Sequence, residues 1–211
     1  TWRSLSSGVR LRDRIRPWAQ DAAMRFMDDL RPETLLGARG DVLEIGFGTG
    51  RNLRHYPNDV RSVFGIDPMV TSGVGPVERR IERARFPVER TTLSADEQLP
   101  FDAGRFDCVV TTWTLCSIPD AQAALAEMRR VLKPGGTYLF IEHGRGREER
   151  TIRWQERLNP AWRRLTEGCN INRPIDELVA GAGFELSAIS EFPGKGPRLI
   201  SHLYRGVATR A

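Results

Sequence analysis

Lysine is almost missing from this chain. Of its 32 basic residues, only Lys133 and Lys195 are lysine and the rest are arginine. Cysteine occurs three times in 211 residues. An odd, widely spaced set of that kind forms no disulfide framework and fits no zinc-finger spacing, so no metal is expected and a reducing, cytoplasmic setting fits best. No apolar run approaches the roughly 18 residues of a membrane span, and no signal peptide is visible. The net charge of +5 attracts anions in general. The arginines are spread out, however, and lack the interleaved aromatics of a single-strand binder, so nucleic acid is not an expected partner. Length and composition are those of one ordinary globular domain, with nothing that specifies an oligomeric state.

What is present starts with "DVLEIGFGTG", Asp41 to Gly50. A short apolar run, Val42–Ile45, leads into three glycines on alternate positions, as a strand does when it ends in a loop that approaches a ligand closely. Further strand-like runs follow at Val60–Asp67, Val88–Leu93, Phe106–Thr112 and Thr137–His143. Helical patterns separate them at Thr49–His55, Pro76–Arg85 and Ala121–Leu132, and another follows at Pro174–Ala182. Phe184–Phe192 and Leu199–Val207 read as a closing antiparallel hairpin. The expected fold is α/β: a doubly wound, mostly parallel seven-stranded sheet of the Rossmann-like kind, with its ligand beyond the carboxyl ends of the strands. Upstream, Ile15, Trp18, Ala22, Phe26 and Leu30 recur at helical spacing and predict a helix that packs this stripe on the core. Peripheral membrane contact is the secondary reading.

The glycine loop is not a dinucleotide fingerprint. Gly46 and Gly48 fit G-x-G-x-x-G, but the third glycine position holds Arg51. No Gly-Lys-Ser/Thr phosphate loop is present. Glu44 stands two residues before the first glycine, where a carboxylate repels pyrophosphate and suits an ammonium group. The second strand ends at Asp67, about 20 residues after the loop, where an acid accepts hydrogen bonds from a ribose. An amino-acid-bearing nucleoside is the ligand these features favour.

"VLEIGFGTG", "VFGIDP", "LPF…GRFDCVV" and "MRRVLKPGGTYLF" together resemble the class I S-adenosylmethionine (SAM)-dependent methyltransferases. The resemblance implies that Glu44, Gly46, Phe47, Gly48 and Gly50 hold the methionine end of SAM. It places Asp67 and Pro68 at the ribose, and "SADEQLPF", with Ala95, Asp96 and Glu97, at the adenine. Asp96 is the expected partner of the adenine amine. Thr112 and Trp113, ending the fourth strand, wall the cofactor. Residues 1–38 then read as a helical cap, 41–143 as the cofactor-binding core, 144–173 as an insertion over the substrate and 174–211 as a closing helix and hairpin.

The position after strand four reads "TTWTLCSIPD" rather than the Asn/Asp-Pro-Pro-Tyr of base and amide methylation. With "FIEHGRG", "RLNPAWRRLTEGCNINR" and "HLYRGVA", it resembles the alkyl-thiol S-methyltransferase branch of the methyltransferase-like proteins. That implies methyl transfer to the sulfur of a small-molecule thiol by direct displacement. Trp113, His143, Asn170 and Arg173 are the implied substrate contacts, and His143 is the candidate base or thiolate partner. Glu142 is expected to face away in an ion pair, and Cys116 and Cys169 to be buried, inert thiols. The closest alternative is N- or O-methylation of a lipid head group or small metabolite.

Overall fold

The computed structural model describes residues 18–19, 21–69, 75–95, 97–166 and 168–211. Strand β1 (Gly40–Ile45) shows why a sheet forms. Val42 packs into one buried apolar cluster, while Leu43 and Ile45 pack into another. That is the period-two alternation of a strand covered on both faces. On one side of β1 lie β2 (Val60–Asp67) and then β3 (Val88–Thr92), and on the other lie β4 (Phe106–Thr112) and β5 (Leu132–His143), all parallel. β7 (His202–Arg210) pairs antiparallel with β5, and β6 (Phe184–Pro193) pairs antiparallel with β7. The order is β3-β2-β1-β4-β5-β7-β6, the expected seven-stranded sheet with its antiparallel end.

Helices cover both faces. Leu35 of α1 (Arg31–Leu35) and Val77 of α2 (Gly75–Glu82) join one cluster. Leu125 and Met128 of α3 (Ala121–Val131) and Val179 of a later helix, Ile175–Gly181, join the other. Chain order reverses direction between β1 and β4, which opens a crevice at their carboxyl ends. The register brings the ligand-facing positions level. Ile45 pairs with both Ile66 and Thr111, and Asp67 pairs with Thr92. Gly46, Asp67, Leu93 and Thr112 therefore meet at one edge.

Three expectations need correction. Ile15 lies outside the described residues, but Trp18, Ala22 and Phe26 of the predicted inward stripe are exposed and Leu30 is only half-buried. The buried positions are Asp21, Met27 and Arg31. A 3-10 helix, Arg25–Leu30, changes the repeat from 3.6 to about 3 residues per turn and so rotates the face. The inward face is also polar: Asp21 pairs with Arg51 at 2.9 Å and Arg80 at 2.6 Å. Thr49–His55 forms no α-helix, only a 3-10 turn at Leu53–His55, because Tyr56 is extended ahead of Pro57.

The third correction is a helix, α4 (Glu149–Leu165), inside the segment read only as an insertion. Its buried positions are Gln155 and Asn159, one turn apart, while Trp154, Leu158 and Leu165 are exposed. Gln155 accepts from Gly146 N (2.9 Å) and donates to the carbonyls of Gly144 and Leu199. Asn159 accepts from Ile171 N (3.0 Å) and donates to Asn170 (3.1 Å). This helix is fixed by amides rather than by an apolar stripe, so hydrophobic periodicity could not reveal it.

Candidate functional site

Gly46, Gly48 and Gly50 all have left-handed backbones, with φ of 77°, 52° and 73°. Their surroundings differ. A Cβ on Gly46 would lie 1.9 Å from Thr114 Oγ1, whereas one on Gly48 would meet nothing closer than 3.8 Å. Gly46 is needed for loop packing, and Gly48 faces open space. Gly50 abuts the Phe47 ring. Asp67 fixes this cradle from the end of β2: Oδ2 accepts from Gly48 N and Oδ1 from Met69 N, both at 2.8 Å.

Glu44 is buried beneath the loop. One oxygen accepts from Asn52 Nδ2 (2.9 Å) and the other from Tyr56 Oη (2.8 Å). Burial pushes its carboxyl up to about 7, against the lowering effects of Tyr56, Arg31 and Asn52. Arg31 Nη1 donates to Asn52 (2.6 Å) and to Thr112 Oγ1 (3.1 Å). Arg31 and Asn52 are structural partners that motif reading missed. The only signal for Asn52 was its place directly after the glycine loop.

A cavity of about 280 Å³ runs along these strand ends. Glu44, Gly46, Phe47, Gly48, Asp67, Pro68, Ala95 and Thr112 all line it. Trp113, Thr114, Ser117 and Ile118, from the segment after β4, form much of the opposite wall with Met24 and Thr166. Trp113 is the one non-glycine residue among those described with a left-handed backbone (φ 53°). Its indole N–H is buried without a partner, and the Arg31 guanidinium lies 4.9 Å over its ring. Backbone strain and an unanswered donor in a cavity wall are features of a binding position. Glu97 is exposed and does not line the cavity. Asp96 lies outside the described residues.

His143, Asn170 and Arg173 do not line the cavity either. Asn170 Nδ2 donates to the carbonyls of Cys116 (2.8 Å) and Gly168 (2.9 Å). Arg173 donates to the carbonyls of Leu115 and Pro119. Both hold the loop after β4 in place, which moves them from contacting an acceptor to supporting the wall that would. Glu142 makes no ion pair among the described residues. It is fully buried and accepts from the backbone N–H groups of Thr114 and Cys116, each at 3.1 Å, while burial pushes its carboxyl up.

The cysteines are buried as expected, but two of them are neighbours. Cys116 and Cys169 lie with their sulfurs 3.5 Å apart, and Cys169 Sγ is 3.9 Å from His143 Nδ1. Cys169 is held below the usual thiol range, chiefly by its hydrogen bond with Cys116 and then, against burial, by His143. Cys116 is pushed well up by the same contact. Cys108, inside β4, is a buried thiol as expected, and burial pushes it up to about 12.

These residues fit SAM. Gly48 leaves a cradle that a side chain would fill, Asp67 presents acceptors beside it, Glu44 places a buried acid beneath it, and Trp113 offers an unpartnered N–H. An open α/β sheet carrying this arrangement at its switch point defines a class I, SAM-dependent enzyme fold. Residues 43–140 match the methyltransferase domain family. The chain is 36% identical over 145 residues to Thiol S-methyltransferase TMT1A of Homo sapiens, covering 68% of this chain and 59% of that protein. It is 35% identical over 154 residues to human Thiol S-methyltransferase TMT1B, covering 71% and 63%. It thus spans less than two thirds of either relative. A SAM-dependent methyltransferase from Thermotoga maritima shares the fold with a TM-score of 0.65 and 20% identity, over 95% of this chain and 98% of that one. The [4+2]-cyclase SpnF shares it at 0.70 and 18%, over 95% and 93%, a reminder that a fold does not fix a reaction. The chain belongs to the SAM-dependent methyltransferases, and SAM is its cofactor.

A proton should leave the protein when SAM binds near neutral pH. An ammonium group of the cofactor held above Glu44, as the resemblance implies, would favour the carboxylate of a group that burial pushes up to about 7. The folded-state value lies above the usual one, so the free protein is relatively stabilised at low pH and loses that contribution as pH rises toward 7. Calorimetry in two buffers of different ionisation enthalpy should show release of up to about one proton, and Glu44→Gln should remove it. Equal heats in both buffers for the wild type would separate Glu44 from the ammonium group.

Proposed function

We propose that this protein transfers the SAM methyl group to the sulfur of a small-molecule thiol. The observation that carries the reading is the similarity to two human thiol S-methyltransferases over about 70% of the chain. The cavity supports it. Among the described residues Glu44 and Asp67 are its only lining carboxylates, and both sit at the cofactor end. The facing wall, with Met24, Trp113, Ser117, Ile118 and Thr166, holds no carboxylate or imidazole among the described residues. An amine or aliphatic alcohol needs a base there. A thiol, with a free pKa near ~8.5, supplies its own anion from solution.

Bound in this site, SAM supplies a sulfonium-activated methyl group open to in-line attack by a thiolate. Gly46 and Gly48 seat its methionine end, Asp67 takes the ribose hydroxyls, and Ala95 leaves room for the adenine. Trp113 and Ile118 exclude water and confine the acceptor opposite the methyl group. Arg31, at the cavity wall, favours an anionic nucleophile. His143 lies behind that wall, beside Cys169.

The test is a panel of matched alkyl thiol, amine and alcohol, read by S-adenosylhomocysteine formation. Thiol turnover should dominate and should rise with pH toward the thiol's own pKa. Turnover of an amine or phenol with none of any thiol would replace this reading with N- or O-methylation.

A further inference from the structure

Cys116, His143 and Cys169 come from three separate elements: the loop after β4, the end of β5 and the segment after α4. Their ligand atoms nevertheless all lie within 4.8 Å of one another. We propose that they bind a zinc ion through two thiolates and one imidazole, with the fourth position open to the sulfur of a substrate thiol. The second half of this proposal rests on the thiol reading above.

The distances suit the ion. Zinc bonds of roughly 2.3 Å to sulfur and 2.0–2.1 Å to nitrogen, at tetrahedral angles, separate two sulfurs by about 3.8 Å and a sulfur from a nitrogen by about 3.6 Å. Two observed separations, 3.5 Å and 3.9 Å, lie close to these, and the third, between Cys116 and His143, is within 4.8 Å and closes by rotation of the imidazole and thiol side chains. The surroundings also suit it. Two thiolates balance the charge of Zn²⁺, and the Glu142 carboxyl and Arg173 guanidinium lie close by. Both of these side chains hold the backbone on either side of the Cys116 sulfur through residues 114–116. Three protein ligands with one open position is the pattern of a reactive zinc site, whereas structural sites are closed by four.

The open position has somewhere to lead. Cys116 Sγ is 3.6 Å from Ser117 Oγ, and Ser117 lines the cofactor cavity. The cluster sits one side chain behind the acceptor wall. A thiol reaching past Ser117 would bind zinc as thiolate and release its proton to solvent. Methyl transfer would then form its new S–C bond as the cofactor's S–C bond breaks, and the neutral thioether, a poorer ligand, would leave. Zinc in this role keeps a thiol ionised at neutral pH, so the rise of turnover with pH described above is that of the metal-free protein.

The experiment uses the whole chain, reduced and stripped of metal, titrated with Co²⁺ as a spectroscopic stand-in. One equivalent should give thiolate-to-cobalt charge-transfer bands with tetrahedral d–d intensity, and Zn²⁺ should displace it. Cys116→Ser, Cys169→Ser and His143→Ala should each weaken the metal by about a hundredfold or more, while unchanged SAM affinity shows that the variants fold. Adding an alkyl thiol, but not the matching alcohol, should shift the cobalt bands. A reduced wild-type protein that gives no such spectrum overturns the site. Thiol methylation at full rate after chelation overturns the open coordination position and leaves the thiol reading standing. A cobalt site in a protein that methylates no thiol supports the metal half alone and sinks the substrate assignment.

Discussion

Gly48→Val is expected to weaken SAM binding by more than about a hundredfold, or about 2.8 kcal/mol, in a protein that stays folded. The backbone at Gly48 is left-handed, with φ 52°, and a β-branched residue there is strained by about 1–3 kcal/mol. A Cβ at this position has only Gly46 O at 3.8 Å and Asp67 Oδ2 at 4.0 Å near it. The side chain would therefore project into the cavity rather than into the core. The neighbouring position behaves differently: any side chain on Gly46 collides with Thr114 and should disturb the fold itself. Calorimetry with SAM, alongside a thermal melt, separates the two variants. A Gly48→Val protein that binds SAM normally would mean that the cofactor does not pass over this loop.

Asp67→Ala is expected to cost more than about tenfold in SAM affinity, at least 1.4 kcal/mol. The carboxylate has two duties. It holds Gly48 N and Met69 N, which fixes the loop edge, and it is the acid proposed to take the ribose hydroxyls. Removing it leaves two backbone donors without their acceptor, at about 1–3 kcal/mol for each that stays buried. Part of the loss should therefore appear as a lower melting temperature without ligand. Asp67→Asn keeps one oxygen acceptor and should fall between alanine and wild type. Unchanged affinity in the alanine variant would remove Asp67 from the site.

The cofactor half of the site was legible because its chemistry lies within single strand–loop units. Val42–Ile45 followed by alternate glycines, and Val60–Asp67 ending in an acid, carry both the fold signal and the ligand signal in consecutive residues. The parallel register then brings the ends together without further information. The wall opposite was not legible. Gln155 and Asn159 give α4 a polar inward face, Asp21 does the same near the N-terminus, and no apolar periodicity records either choice. Asn170 and Arg173 looked like pocket residues because they are polar and stand in an insertion. Their donors instead meet the carbonyls left open by the loop after β4. Cys116, His143 and Cys169 stand far apart in the sequence, and only the hydrogen bonds from the segment after α4 to the loop after β4 make them neighbours.

The cavity's two walls have different origins along the chain. Residues 43–140 contain the glycine loop, Asp67, Ala95 and the loop after β4. Met24, Arg31 and Thr166 come from segments on either side of that stretch. Thr166 follows a helix held by amide hydrogen bonds, and Met24 follows a segment held by ion pairs. Met24 packs only on a small third cluster of Met27, Trp113, Ile141 and Leu203, apart from the two large clusters that flank the sheet. A lineage can therefore rebuild the outer wall, trading one acceptor for another, while the inherited cofactor machinery keeps its stability and its grip.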